Sequence, residues 1–205
     1  MTNIGGVILC GGRSSRMGRA KAWLPFGDEL LLPRTVRIIA GVVGPVVVVA
    51  APGQDVPPLP EGVEIVRDAL VGKGPLAGLA AGLAALDGRA EAVYLSSCDA
   101  PFLTPEFVRR VVGLLGGSVI AVPEIDGYPH PLAGVYRTSV RPVVERRLAE
   151  DRLRMRDLFD EVPTRFLGAD TFAELDSLRN VNTPADYEAA LGKLGSLEPE
   201  ASAPG

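Results

Sequence analysis

Near the start of the chain, a pair of glycines, Gly11 and Gly12, is followed by four cations: Arg13, Arg16, Arg19 and Lys21. Adjacent glycines let backbone N–H groups approach an anion closely. The first acid is Asp28, so residues 1–27 carry +4 in a protein of net charge −4. A cation fixed about 4 Å from a phosphate contributes about 4 kcal/mol at an effective dielectric of ~20, so several together hold a triphosphate. The spacing is not that of a Walker A loop, because five residues separate Gly12 from Gly18 and Arg19 follows. The plainer alternative is a solvated basic loop. The buried strand that precedes the glycines argues against it. Further along, Asp99 follows an apolar run that ends near Ser96. A carboxylate at the carboxyl end of a strand, beside a polyphosphate site, suits Mg²⁺, which takes oxygen ligands and shares them with substrate phosphates. A lone Asp before a Pro-containing turn is otherwise a turn former. The chemistry these residues point to is the binding of a polyphosphate with a divalent metal beside it.

Other residues carry weaker signals. Gly72-x-Gly74-x-x-Ala77 fits a dinucleotide fingerprint, but it lies six residues past a strand end and Pro75 removes an N–H from it. An NAD(P)-dependent oxidoreductase is therefore a remote alternative. Gly78 and Gly82 share one helix face, where either a ligand or another part of the chain must come close. His130 is the single histidine, held between Pro129 and Pro131. Cys10 and Cys98 both end predicted strands. Two reduced thiols are the expectation, and a disulfide is the alternative.

The elements that must position these groups alternate. Strands are predicted at Ile4–Cys10, Val46–Ala51, Val63–Val66, Ala92–Ser96, Val119–Val122 and Thr164–Leu167, and Pro131–Arg137 reads as an antiparallel insertion after a turn at Asp126-Gly127. Helices are predicted over Leu31–Val43 and Leu76–Leu86, from the cap Thr104 to about Leu115, over Ser139–Glu150 and Arg156–Phe159, and from Thr183 to about Leu194. This alternation predicts an α/β fold: a three-layer, Rossmann-like, mostly parallel sheet with helices on both faces and a small antiparallel insertion. Ligands of such sheets bind at the carboxyl ends of the strands, which here are Gly11-Gly12, Pro52-Gly53, Arg67-Asp68 and Cys98-Asp99. One domain is expected over residues 1–194, with residues 195–205 a flexible tail.

Composition bounds the class. The chain has 205 residues, 47% of them apolar, enough for a self-sufficient core. An acidic balance argues against nucleic acid as a general partner. No stretch reaches the about 20 apolar residues of a spanning helix, and the first residues show no signal pattern, so no membrane association and a cytoplasmic location are expected.

The segment Leu9-x-Gly11-Gly12-x-Ser14-x-Arg16-Met17-Gly18-x-x-Lys21 resembles the signature of the nucleotidyltransferases that build molybdopterin dinucleotides, the molybdenum cofactor guanylyltransferases above all. It is more distantly similar to sugar-nucleotide pyrophosphorylases. Gly74-Pro75-Leu76-Ala77-Gly78, Cys98-Asp99-Ala100-Pro101-Phe102, the His130-Pro131-Leu132 segment and Asn180-Val181-Asn182-Thr183-Pro184-Ala185-Asp186 resemble later family segments, in the same order. The resemblance implies that Leu9, Cys10, Gly11, Gly12, Lys21, Asp68, Gly74, Gly78 and Asp99 bind the nucleotide. It implies that Arg16, Lys21 and Asp99 are catalytic, that Asp99 holds Mg²⁺, and that His130, Asn180 and Asn182 lie on the acceptor side. The implied reaction transfers GMP from GTP to the terminal phosphate of molybdopterin and releases pyrophosphate. A cytidylyltransferase on the same fold is the alternative. A monomer or weak oligomer that docks transiently to cofactor-handling or acceptor proteins is implied as well. Three departures stand out. Ala20 precedes the lysine where many relatives have Asp, Cys10 replaces Ala, and Ala50-Ala51-Pro52-Gly53-Gln54 lacks the Asn that guanylyltransferases often direct at the base, leaving Gln54 as a source of amide contacts.

Overall fold

The structure is a computed structural model, and it describes residues 2–11, 20–70 and 72–197. In chain order the elements are β1 (Ile4–Leu9), β2 (Pro25–Phe26), β3 (Glu29–Leu30), α1 (Leu31–Ala40), β4 (Val46–Ala50), β5 (Glu64–Arg67), α2 (Gly74–Ala85), β6 (Ala92–Ser97), α3 (Pro105–Gly113), β7 (Ile120–Ile125), β8 (Tyr128–Pro129), β9 (Ala133–Arg137), α4 (Arg141–Ala149), β10 (Thr164–Leu167) and α5 (Pro184–Leu197). The main sheet runs β10-β7-β9-β6-β1-β4-β5, with β8 paired to β7. The pairs β1·β4, β1·β6, β4·β5 and β7·β10 are parallel, and β9 runs against both neighbours. The antiparallel element is thus present, and it lies inside the sheet between β6 and β7. The turn that leads into it is a two-residue hairpin with Asp126 at φ 52° and Gly127 at φ 77°, the left-handed pair that such turns require.

Strand alternation assigns the two faces. Ile8, Val48 and Tyr94 pack with Leu32, Val36 and Ile39 of α1 and with Phe107, Val108 and Val111 of α3. Val7, Leu9, Val47, Val49, Val93 and Leu95 pack with Leu76, Leu79 and Leu83 of α2 and with Val144 of α4. Strands this thoroughly buried on both faces read as continuous apolar runs, as β4 does. Thr104 caps α3 as predicted, its Oγ1 accepting the Phe107 N–H at 3.2 Å. The predicted Ser139–Glu150 helix begins as a 3-10 turn, Thr138–Val140, and continues as α4, and Met155–Asp160 forms a 3-10 turn over the predicted Arg156–Phe159 helix. The small β2–β3 hairpin was not predicted. Its Phe26 packs with Leu24, Leu31, Val181 and Ala190, which seats α5 against the front of the domain. That helix continues to Leu197. No helix among the described residues is long and apolar enough to cross a membrane.

Candidate active site at the carboxyl edge of the sheet

The parallel strands β1, β4, β5 and β6 end on one edge, and the sequence motifs meet there. Lys21 opens a 3-10 turn, Lys21–Trp23, held by N–H donation from Leu24 to the Lys21 carbonyl at 3.1 Å. Its Nζ donates to Asp99 Oδ2 at 2.5 Å and to Asn182 Oδ1 at 2.9 Å. These two partners are 78 and 161 positions from Lys21 in sequence, so the contact joins the first motif, the end of β6 and the last motif. Backbone geometry holds the arrangement. The Val181 N–H donates to the Asp99 carbonyl at 2.9 Å. The N–H groups of Asn182 and Thr183 donate to Asp186 Oδ2, and the Asp186 N–H donates to Thr183 Oγ1, a reciprocal cap that starts α5. These donors hold the Asp186 carboxyl below its ordinary range.

Asp99 is the informative member. The residue is 8% exposed, and Oδ1 is buried without a hydrogen-bond partner among the described residues. A buried carboxylate oxygen left over after one ion pair is an acceptor awaiting a cation or a donor. A hard divalent ion fits that oxygen. Among the described residues no group of three His, Cys, Asp or Glu side chains stands near enough to form a closed metal cage. A metal here would draw its remaining ligands from water and substrate phosphates, the habit of Mg²⁺.

On the β4–β5 side of β1 lies a second set of contacts. Gln54 Nε2 donates to the Cys10 carbonyl at 2.9 Å, and Gln54 Oε1 accepts the Ala51 N–H at 3.0 Å. Arg67 Nη1 donates to the carbonyls of Ala51 at 3.1 Å and Gln54 at 2.7 Å. Asp68 Oδ1 accepts the Leu70 N–H at 2.8 Å in a turn. Cys10 and Cys98 are both buried and free. A hydrogen bond from one to the other, together with burial, pushes the Cys98 thiol well up.

A third feature opens on the β6–β9 side. A cavity of about 190 Å³ is lined by Tyr94, Ser96, His130, Ala133, Ser177 and Asn180, among others. The His130 N–H donates to the Pro123 carbonyl at 2.8 Å, and burial lowers the imidazole pKa below 6.5, so the ring is neutral at pH 7. Tyr94 is fully buried, and its hydroxyl has no partner among the described residues. Tyr94, Ser96 and Ser177 were not singled out from sequence. Alternation along β6 places Tyr94 and Ser96 on one face, but that face reads as core until the cavity is seen.

The predicted residues therefore divide. Lys21, Asp99 and Asn182 converge, and His130 and Asn180 share the cavity beside them. Cys10 and Gly11 sit on the rim at the end of β1. Gly12 and Arg16 lie outside the described residues. Leu9 turns its side chain into the α2 face of the sheet. Gly78 and Gly82 have a packing cause: an added Cβ would lie 2.8 Å from Leu9 Cδ2 or 2.5 Å from Val7 Cγ1, so the glycines let α2 settle onto β1. Gly74 has a conformational cause, φ +71°, as does Gly72 at φ +84°. Gln54 spends both ends of its amide on the protein.

The family model described as a MobA-like NTP transferase domain matches residues 6–165. A probable molybdenum cofactor guanylyltransferase of Carboxydothermus hydrogenoformans is 34% identical over 97% of this chain and 100% of its own length. Among solved structures, the molybdopterin-guanine dinucleotide biosynthesis protein A of Archaeoglobus fulgidus superposes with a TM-score of 0.76 at 21% identity, over 94% of this chain and 99% of its own. A Mycobacterium tuberculosis protein, Rv0371C, solved as a complex with manganese, superposes with a TM-score of 0.63 at 21% identity, over 93% of this chain and 99% of its own.

Proposed function

The chain belongs to the family of MobA-like NTP transferase domains, and from that premise we propose a molybdenum cofactor guanylyltransferase working in the cytoplasm. It transfers GMP from GTP to the terminal phosphate of molybdopterin, yielding the guanine dinucleotide and pyrophosphate. The observation that carries this reading is the meeting of Lys21, Asp99 and Asn182 at the carboxyl edge, with Asp99 Oδ1 buried and without a hydrogen-bond partner among the described residues.

The site works by placement and charge. The backbone of Gly11 and Gly12, with Arg16 and Lys21, holds the triphosphate. Lys21 is a cation on a flexible stem, so it can exchange its bonds to Asp99 and Asn182 for a phosphate oxygen as GTP enters. Asp99 would hold Mg²⁺, which supplies neutralising charge at the α-phosphate. The acceptor lies with its terminal phosphate toward Asn182 and its body in the cavity of His130 and Asn180. That phosphate forms a bond to the α-phosphorus as the bond to pyrophosphate breaks. No protein nucleophile is needed, because in-line transfer asks for orientation and charge stabilisation. The neutral His130 ring offers the acceptor a hydrogen bond without adding charge.

The test is pyrophosphate release by purified protein given molybdopterin, Mg²⁺ and each nucleoside triphosphate in turn. Release with GTP, abolished by chelator, is expected. Release with CTP in place of GTP would move the enzyme to the cytidylyl branch. Its absence with every triphosphate would overturn the reading.

A further inference from the structure

We infer that Arg67 reads the guanine base through its free guanidinium edge, an inference that rests on the guanylyltransferase reading above. The layout of the edge sets the direction of the nucleotide. The reacting phosphorus has to lie near Lys21 and Asp99, where β1 and β6 end. The acceptor cavity opens on the β6–β9 side of that point. An in-line reaction puts donor and acceptor on opposite sides of the phosphorus, so the nucleoside extends over the ends of β4 and β5.

The groups available to a base there are few. The Gln54 amide is committed to the Cys10 carbonyl and the Ala51 N–H. One oxygen of Asp68 is committed to Leu70. Arg67 is exposed and differently placed. Its Nη1 grips the carbonyls of Ala51 and Gln54, which fixes the plane of the guanidinium. Its Nε and Nη2 make no hydrogen bond among the described residues, and they form the side-on edge of the fork. Two parallel donors on a fixed plane match two adjacent acceptors. Guanine offers such a pair in N7 and O6, whereas adenine sets an amino donor beside its N7. The same residue also stiffens the turn that holds Gln54 on Cys10, so base reading and loop placement share one side chain. The Asn missing from this stretch is replaced by a residue one strand away.

The experiment measures dissociation constants of GTP, 7-deaza-GTP, ITP, ATP and inorganic tripolyphosphate for the wild type, Arg67→Met and Arg67→Lys. In the wild type, 7-deaza-GTP and ATP should bind about tenfold to a hundredfold more weakly than GTP, and ITP about as well as GTP. In Arg67→Met these differences should shrink to about twofold, with tripolyphosphate binding unchanged. Arg67→Lys keeps a donor for the two carbonyls and loses the fork, so it should lose discrimination while keeping the wild-type melting temperature. An unchanged penalty for 7-deaza-GTP in both variants would overturn the inference, as would an equal loss of tripolyphosphate binding. Failure of the wild type to bind any of the five compounds would instead strike the guanylyltransferase reading itself.

Discussion

Two charge clusters are drawn into this fold, and they differ in what they can let go. Around Arg147, which is wholly buried, the guanidinium donates to Glu161 at 2.5 Å, to Asp157 at 3.1 Å and to the Arg154 carbonyl at 3.3 Å. Glu161 also takes Arg146 at 2.5 Å and Arg152 at 2.9 Å. At the sheet edge, Lys21 and Asp99 form a smaller set with Asn182. Both clusters leave one buried polar atom without a partner among the described residues, Arg147 Nε in one and Asp99 Oδ1 in the other. An unpartnered atom alone therefore does not mark a site. The arginine cluster ties α4 to the Met155–Asp160 turn with a rigid fork and a sealed cation. The lysine cluster sits at the sheet edge, keeps 18% and 11% side-chain exposure, and uses a compact cation on a flexible stem. Fixity serves the fold in one place, and in the proposed mechanism release serves chemistry in the other.

Substitutions can break or sharpen that contrast. Asp99→Ala should lower turnover with GTP by about a thousandfold or more while the protein stays folded, since it removes transition-state charge stabilisation and no packing. A tenfold loss or less in a pyrophosphate assay would put Asp99 outside the chemistry. Arg147→Met should do the opposite. Loss of the buried cation costs about 3 kcal/mol and lowers the melting temperature by about 6–12 °C, with activity per folded molecule retained at low temperature. A specific loss of activity at full stability would erase the distinction between the clusters. Asn182→Ala removes one of the two partners of Lys21 and, in the proposed mechanism, a group facing the acceptor. The KM for molybdopterin should rise about tenfold with GTP affinity nearly unchanged, as expected for one hydrogen bond to a charged group. The smallest effect is on acid stability. The hydrogen bond from Arg147 is the main influence holding the Glu161 carboxyl below its ordinary 4.5. Its stabilisation is therefore present above pH 4.5 and lost as pH falls through the lowered folded value. Thermal melts of Glu161→Gln between pH 3 and 6 should show a flatter acid limb than the wild type, and equal slopes would remove Glu161 from the balance.

Much of the site could be read before the fold was known, because its signals are local. Paired glycines after a buried strand, a carboxylate at the end of another and the Thr183 cap each announce themselves within a few residues. The fold class followed from alternation for the same reason. What stayed hidden depends on partners distant in sequence. The place of β9 inside the sheet is set by pairing with both β6 and β7, which no local pattern encodes. Gly78 looked open to a ligand because the side chain that fills its space, Leu9, belongs to another motif. Gln54 looked available to a base because its contact with Cys10 spans 44 residues. Arg67 stood at a strand end already marked as a binding edge, yet only the gripped Nη1 shows that its other edge is aimed outward and held still.

The bond from Lys21 to Asn182 also bears on synthesis. A chain still on the ribosome acquires its glycine loop first and Asp99 midway, yet the second partner of the lysine is missing until residue 182 has left the exit tunnel. The complete contact thus arrives late in translation, after the sheet strands have all been made.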